Sequence, residues 1–227
     1  MALGLLEQAI AIDPHYGSAL GWAAIGHSNL INGGWAEEPK TSRQTAADLA
    51  RRALQVGNND PSVLANAAFV LGHYGEDIGA MIGLVDRALT LNPSFARGWF
   101  LSAFLRVFAG QHSLAIEHIE TSMRLSPREH VGSSHVPMGQ AYFFMRRFDE
   151  AAAKLNLAIQ DNPGHPTPYR ALAACCAHMG RIDEARAIVA RLRAITPVLV
   201  AADLPWRTHD DRELYLSGLR LATGAPG

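Results

Sequence analysis

The sequence predicts an all-α protein, a solenoid of stacked helical hairpins, and three observations support this prediction. Residues that end helices recur at nearly regular intervals along the 227-residue chain. Small residues recur where the two helices of a hairpin must approach closely, as ridges-into-grooves packing requires. Alanine is abundant throughout, which favours helix. Internal repetition of this kind is typical of folds in which each unit packs mainly against its neighbours.

The repeat is defined by its endings. Six segments close on a helix-ending residue, and successive closings lie 44, 35, 34, 36 and 34 residues apart. The first interval is longer than the others because it contains the Gly- and Pro-containing segment 32–40, which we expect to be a loop. The closing residues are Pro14, Asn58, Pro93, Pro127, Pro163 and Pro197.

These closings divide the chain into elements in a fixed order. Residues 1–14 are expected to form the second helix of a hairpin whose first helix lies outside the sequence, so the chain is expected to be part of a longer protein. Residues 198–227 are expected to form a capping segment and helix, because Thr208 precedes a helix start with acidic residues in its first turn. Five hairpins lie between them, at 15–58, 59–93, 94–127, 128–163 and 164–197.

Within a hairpin, the turn between the helices needs a residue that tolerates left-handed backbone. Gly110 and Gly180 supply it in the third and fifth hairpins. Arg146 stands at the equivalent place in the fourth hairpin, so we expect a strained or differently shaped turn there. Pro137 lies in the first helix of the same hairpin, and we expect that helix to be shorter at its start.

The units resemble tetratricopeptide repeats, which have W-x2-L-G-x2-Y in the first helix, three small positions and a closing proline. Arg106 and Cys176 depart from the family pattern, which favours Tyr at both places. The resemblance implies a right-handed superhelix whose first helices line a concave surface, and a role in protein–protein interaction. It covers residues 1–197 and is carried by Trp99-x3-Ala103, Gly139-x2-Tyr142-x8-Ala151-x6-Ala158 and Tyr169-x2-Leu172-Ala173.

The groove-facing positions of the first helices hold the candidate binding residues. Phe100, Phe104 and Phe108 follow i, i+4, i+8 spacing, so they share one side of a helix. By the resemblance, Phe100 and Phe104 face the concave groove, where exposed aromatic side chains would form a patch typical of a binding surface. The alternative is that curvature or the segment 198–222 already covers them. The candidate groove residues are Asn66, Phe69, Arg97, Phe100, Phe104, Gln140, Phe143 and Arg170.

The same positions indicate the partner to expect. Family members that hold the acidic C-termini of chaperones use Lys, Asn and Arg there, and in this chain only Asn66 and Arg97 are partial matches. We therefore expect an apolar helix or extended peptide in the groove, from a partner protein or from a domain of the same parent chain. The alternative is self-association, a homodimer formed through residues 1–13.

Two short segments resemble the C-terminal tetratricopeptide region of bacterial signalling proteins. They are Gly34-Trp35-Ala36-Glu37-Glu38-Pro39 and Gly218-Leu219-Arg220-x3-Gly224. In those proteins the region follows a class III adenylate/guanylate cyclase domain or a winged-helix regulator domain. The resemblance implies a regulatory role, with the catalytic or DNA-binding part upstream.

Composition excludes several other functions. The formal charge of −1 and the pI of about 6.8 argue against a nucleic-acid partner, and no apolar run is long enough to predict a membrane span. The adjacent Cys175 and Cys176 cannot bridge within a helix, so we expect a reducing, cytoplasmic location. The ten histidines include no i, i+4 pair. We therefore expect no metal, no cofactor and no catalysis, with a histidine-based metal protein or hydrolase as the less favoured alternative.

Overall fold

The computed structural model describes residues 2–127, 134–200 and 204–224. These residues form twelve α-helices and no strand, which confirms the predicted all-α fold. The helices are α1 (Ala2–Ile12), α2 (Gly17–Gly33), α3 (Pro39–Val56), α4 (Pro61–His73), α5 (Ile78–Leu91), α6 (Ala96–Phe108), α7 (His112–Leu125), α8 (His135–Phe144), α9 (Phe148–Asp161), α10 (Pro166–His178), α11 (Ile182–Ile195) and α12 (His209–Thr223).

Helices α2 to α11 form five consecutive pairs that stack as a solenoid. Each first helix packs against its own second helix and against the first helix of the next pair. Each second helix also packs against the first helix that follows it. The first helices α2, α4, α6, α8 and α10 therefore form an inner layer, and the second helices form an outer one. Helix α10 also contacts α2, so the inner layer curves back on itself.

Small residues permit the close packing inside each pair. Ala103 of α6 and Ala115 of α7 are completely buried, and the buried Ser122 donates a hydrogen bond to the carbonyl oxygen of Ala96 (2.8 Å). At Gly139 of α8, a Cβ atom would lie 2.7 Å from Cγ of Leu155. A larger residue at position 139 would therefore displace the buried side chain of Leu155 from its place between α8 and α9.

The turn at Arg146 keeps the shape that glycine gives elsewhere. Its φ of 59° lies in the same left-handed region as the φ of 79° at Gly110 and of 75° at Gly180. The Arg146 amide donates to the carbonyl oxygen of Phe143 (2.9 Å), as the corresponding glycine amides do in their own turns. Of the two expected outcomes, the structure has the strained turn, because an L-residue in this region costs about 1–2 kcal/mol.

The structure also gives the length of α8, which contains Pro137, and the extent of the loop between α2 and α3. Helix α8 has 10 residues, against 13 in α6 and in α10, and Pro137 lies in its first turn, as expected. The loop between α2 and α3 covers only 34–38, because both helices extend into the segment 32–40 that we expected to be a loop.

Arg106, which departs from the family pattern, is buried and makes its own ion pair. Its Nη2 lies 2.9 Å from Oδ1 and 3.2 Å from Oδ2 of Asp86, and its Nη1 donates to Oγ of Ser102. Asp86 belongs to α5 of the preceding pair. Arg106 thus forms a charged link between neighbouring hairpins.

Candidate functional site

The inner layer encloses a cavity of about 320 Å³, a size within the range of small-molecule sites. All five first helices contribute to its wall, together with residues that follow α11. Asn29 of α2 and Asn162, which follows α9, are exposed and line the cavity, so they mark its mouth. Six of the eight candidate groove residues come together in this wall: Phe69, Arg97, Phe100, Phe104, Gln140 and Arg170.

The other two candidates do not line the cavity. Phe143 is 0% exposed, and its ring centroid lies 5.7 Å from that of Phe148 and 6.4 Å from that of Tyr215. It therefore belongs to the packed core between α8, α9 and α12. Asn66 is also buried, and its Oδ1 accepts a hydrogen bond from Nε of Arg97 (3.3 Å). Asn66 thus acts on the cavity only through Arg97.

Four phenylalanines form the apolar wall. The ring centroid of Phe104 lies 5.1 Å from Phe100, 5.6 Å from Phe69 and 6.1 Å from Phe108, the first two in edge-on geometry. Such edge-on pairs are the favoured aromatic arrangement. Phe104 is half-buried, whereas Phe100 and Phe108 are 7% and 3% exposed. The three rings of α6 lie on one side of the helix, as their i, i+4, i+8 spacing predicts. Phe100 and Phe108 are buried, however, so they do not form part of a solvent-exposed patch.

The chain after α11 covers part of this wall. Leu204, Pro205 and Trp206 line the cavity, as does Tyr215 of α12. Trp206 is 3% exposed, and its ring centroid lies 4.4 Å from Tyr215 and 5.1 Å from Phe144. Of the two possibilities that the sequence left open, partial coverage by the C-terminal segment is the one observed.

Residues 204–207 form the covering segment, and Arg207 attaches it to the ends of two inner helices. Its backbone amide donates to the carbonyl oxygen of Phe108 (2.8 Å), and its guanidinium donates to the carbonyl oxygens of Gly72 and Glu76. Phe108 and Gly72 lie in the last turns of α6 and α4, where carbonyl groups have no partner within the helix. The covering segment therefore satisfies groups that these helices leave open.

Helix α12, which follows the covering segment, is itself anchored to α7 and α10. The buried Asp211 carries an oxygen 3.2 Å from Nε2 of His112 in α7, and its amide donates to Oγ1 of Thr208 (3.2 Å). At Gly218, a Cβ atom would lie 2.8 Å from Cβ of Ala174, so α12 and α10 pack at very short range. This packing fixes Tyr215 in the cavity wall.

Arg170 joins the last hairpin to the first. Its Nη1 donates to the carbonyl oxygen of Asn32 in α2 (2.9 Å), and its Nη2 donates to the carbonyl oxygen of Val198 (2.8 Å). Asn32 and Arg170 are 138 residues apart in the chain. This bridge closes the curve of the inner layer and gives the cavity its far wall.

The cavity has a positive lining. Arg97 and Arg170 both line it, and none of the described residues in its wall is Asp or Glu. Burial lowers the pKa of Arg97 to about 10 and also lowers the pKa of Arg170. A guanidinium with a pKa of about 10 is still charged at neutral pH. Burial, reinforced by Arg207 and Arg43, lowers the pKa of His73 to about 4, so this imidazole is neutral.

Several buried polar atoms in the wall are unpaired within the described part of the chain. They are Oε1 of Gln140, Nε1 of Trp206, Nδ1 of His165 and both ring nitrogens of His73. Gln140, Trp206 and His73 are each less than 10% exposed. A buried donor or acceptor without a partner is costly, so these atoms favour an occupant that can hydrogen-bond. Sequence reasoning missed His73 and Trp206, since neither stands at a position that the repeat pattern assigns to the groove.

Other candidate chemistry is not assembled in the residues that the structure describes. Over 2–127, 134–200 and 204–224, no three His, Cys, Asp or Glu side chains are placed to hold a metal ion. None of the helices described there combines the length and apolar character needed to cross a membrane. Cys175 and Cys176 are free thiols, and burial raises their pKa values to about 12 and about 11.

Comparison with known proteins agrees with this architecture. Residues 145–202 match the family model of the tetratricopeptide repeat. The matched stretch contains α9, α10 and α11, which include the whole of the last hairpin. No curated protein matches the chain.

Solved structures extend the likeness over most of the chain. A thermophilic tetratricopeptide-repeat protein of Thermus thermophilus is 23% identical, with a TM-score of 0.59, and the match covers 85% of this chain and 98% of that one. MamA of Desulfovibrio magneticus RS-1, from its residue 41 to the end, is 15% identical with a TM-score of 0.52, covering 76% of this chain and 94% of that one. The chain therefore has the fold of a tetratricopeptide-repeat solenoid.

Proposed function

We propose that the chain is a non-catalytic protein–protein interaction module that receives apolar side chains of a partner in the concave cavity. Tetratricopeptide-repeat proteins are generally interaction modules, built to present a concave surface. The single observation that carries the proposal is the wall formed by Phe69, Phe100 and Phe104 beside the exposed Asn29. Aromatic side chains that line a concave site are typical anchors for a binding partner.

The dimensions favour insertion of side chains over the docking of a whole helix. A helix of three turns, about 10 Å across, fills on the order of 1,000 Å³. The cavity holds about 320 Å³, and Trp206 occupies neighbouring space on the concave side. The partner accordingly contributes one or two apolar side chains from an extended segment or a chain end.

The proposal predicts that blocking the mouth of the cavity weakens peptide binding. Asn29→Trp places a bulky side chain at an exposed position of the cavity wall. Gln160→Trp adds the same side chain at an exposed position of α9, outside the cavity lining, and serves as the matched control. Peptides selected from a phage-displayed random library on the unmodified chain should bind Gln160→Trp equally and bind Asn29→Trp at least about tenfold more weakly.

Two results would count against this function. The first is a selection that enriches no peptide above a surface that lacks the protein. The second is a set of selected peptides that bind Asn29→Trp as well as they bind Gln160→Trp, which would place their site elsewhere on the solenoid.

The biological setting is the one implied by the short resemblances in 34–39 and 218–224. We propose a regulatory region of a bacterial, cytoplasmic signalling protein, whose partner is a separate protein or a domain of its own chain. Support for this setting comes from those segments alone.

Self-association is a second candidate function, and helix α1 favours it. No residue of α1 is buried, and Leu5 and Ile12 are 62% and 87% exposed. Apolar side chains at the end of a solenoid are typical of a surface that another chain covers. Light scattering should then show a dimer that dissociates in Leu5→Lys/Ile12→Lys and persists in Gln8→Lys, also on α1. A monomeric unmodified chain would end this candidate.

A further inference from the structure

The cavity that holds the apolar wall also has features of a small-molecule site, which the interaction function does not require. Its volume of about 320 Å³ is comparable to sites for small organic ligands. Its wall combines four phenylalanines with a few fixed polar groups, the usual composition of such sites. The bridge from Arg170 to Asn32 and the segment 204–206 limit access from the far side.

Arg97 is a wall residue with unused hydrogen-bond donors. A guanidinium has five N–H donors, and among the described residues only its Nε has a partner, Oδ1 of Asn66 at 3.3 Å. Its Cζ lies 4.2 Å from the ring centroid of Trp22, a cation–π contact that helps to hold the guanidinium in place. Four N–H donors of a partly buried cation are therefore available to an acceptor.

The charge around Arg97 is not balanced within the wall. Arg170 adds a second guanidinium, three of whose N–H donors go to neutral backbone carbonyls. His73 is neutral, and none of the described wall residues carries a negative charge. Partly buried cations without a counter-charge favour binding of an anion.

Three other side chains of the wall can complete the recognition of a polar group. Trp206 Nε1 is a donor, Gln140 Oε1 is an acceptor, and the neutral His73 offers one of each. All three are less than 10% exposed, line the cavity and have no partner within the described chain for these atoms. Ordered water can also satisfy such buried polar atoms, so the proposal requires that binding of an organic ligand be measured directly.

We propose that this cavity binds a small organic anion, a molecule with an aromatic or aliphatic body and one carboxylate. The body packs against Phe69, Phe100 and Phe104, and the carboxylate accepts hydrogen bonds from Arg97. The ligand is a free small molecule, so this inference goes beyond the proposed protein partner and can fail or succeed independently of it.

Three matched naphthalene compounds test the charge preference directly. 1-Naphthylacetate, 2-(1-naphthyl)ethanol and 2-(1-naphthyl)ethylamine share the same body and differ in charge. Titration calorimetry on the full chain should show binding of the acid, binding of the alcohol about tenfold weaker, and no saturable binding of the amine. Equal affinity for acid and alcohol, preference for the amine, or no binding of any of them would overturn the proposal.

Variants locate the binding and identify its cationic partner. Arg97→Gln should weaken binding of the acid by about tenfold and leave the alcohol unchanged, and Arg97→Lys should restore most of the loss. Arg193→Gln removes an exposed arginine of α11 outside the cavity and should change neither. If Arg97→Gln binds the acid as the unmodified chain does, the assignment of Arg97 is wrong.

A peptide ligand tests whether the site prefers a free small acid or the C-terminus of a protein, because both carry a carboxylate. The tripeptide Ala-Ala-Phe with a free carboxylate should bind more weakly than 1-naphthylacetate. Tighter binding of the tripeptide than of the acid would reject a free small molecule in favour of a protein terminus. Asn29→Trp should weaken binding of the acid, and unchanged binding would place the site outside the cavity.

Discussion

Replacing Phe143 with alanine is expected to lower the free energy of unfolding by about 3–5 kcal/mol. Its ring is completely buried between α8, α9 and α12, so truncation leaves a cavity that these helices cannot fill. Urea denaturation followed by circular dichroism measures the change.

Phe104→Ala is the matched control for this prediction. Phe104 is half-buried and already borders the cavity, so its loss should cost less than half as much. The repeat pattern alone places both residues in the groove, and the two costs would then be similar. A cost for Phe143→Ala no larger than that for Phe104→Ala would contradict the core position that the structure gives Phe143.

Trp206→Ala is expected to release the covering segment from the concave surface. The indole is 3% exposed and packs against Tyr215 and Phe144, so its loss should destabilise the chain by about 3 kcal/mol or more. The amide of Arg207, which donates to the carbonyl oxygen of Phe108, should then exchange its hydrogen faster, by at least about tenfold. Hydrogen exchange measured by NMR reports this amide directly.

Trp35→Ala provides the comparison, since Trp35 is 48% exposed and lies in the loop between α2 and α3. It should leave the exchange of the Arg207 amide unchanged. Unaltered exchange of that amide in Trp206→Ala would mean that Trp206 does not hold the segment in place.

The helices and their order could be predicted from sequence because their signals are local. Glycines with positive φ at 110 and 180 end the first helices of their hairpins, and prolines such as Pro163 follow the second helices. Even Arg146 keeps the turn that its position in the repeat predicts, because the packing of the two helices outweighs the strain at one residue.

The cavity could be predicted only in part. Spacing along α6 places Phe100 and Phe104 on one side, but it does not reveal how far the inner layer curves. The bond between Arg170 and Asn32 depends on the summed rotations of all the intervening hairpins, and no local pattern encodes it.

The misassignment of Phe143, and the coverage of the wall that the sequence left open, have identifiable causes. Phe143 and Phe144 are adjacent in a short helix and both are buried, so the helical period did not separate core positions from groove positions there. The triplet Leu204-Pro205-Trp206 was the available signal for coverage, because an indole and a leucine beside a capped helix start would be costly to leave in water.

The central claim is that the concave cavity is the binding site, and a crystal structure of the chain with a peptide selected from the random library tests it most directly. We expect an apolar side chain of the peptide inside the cavity, in contact with Phe104 and beside Asn29. A peptide seated on the outer helices α3, α5, α7, α9 and α11, or against α1, with the cavity unoccupied, would contradict the claim.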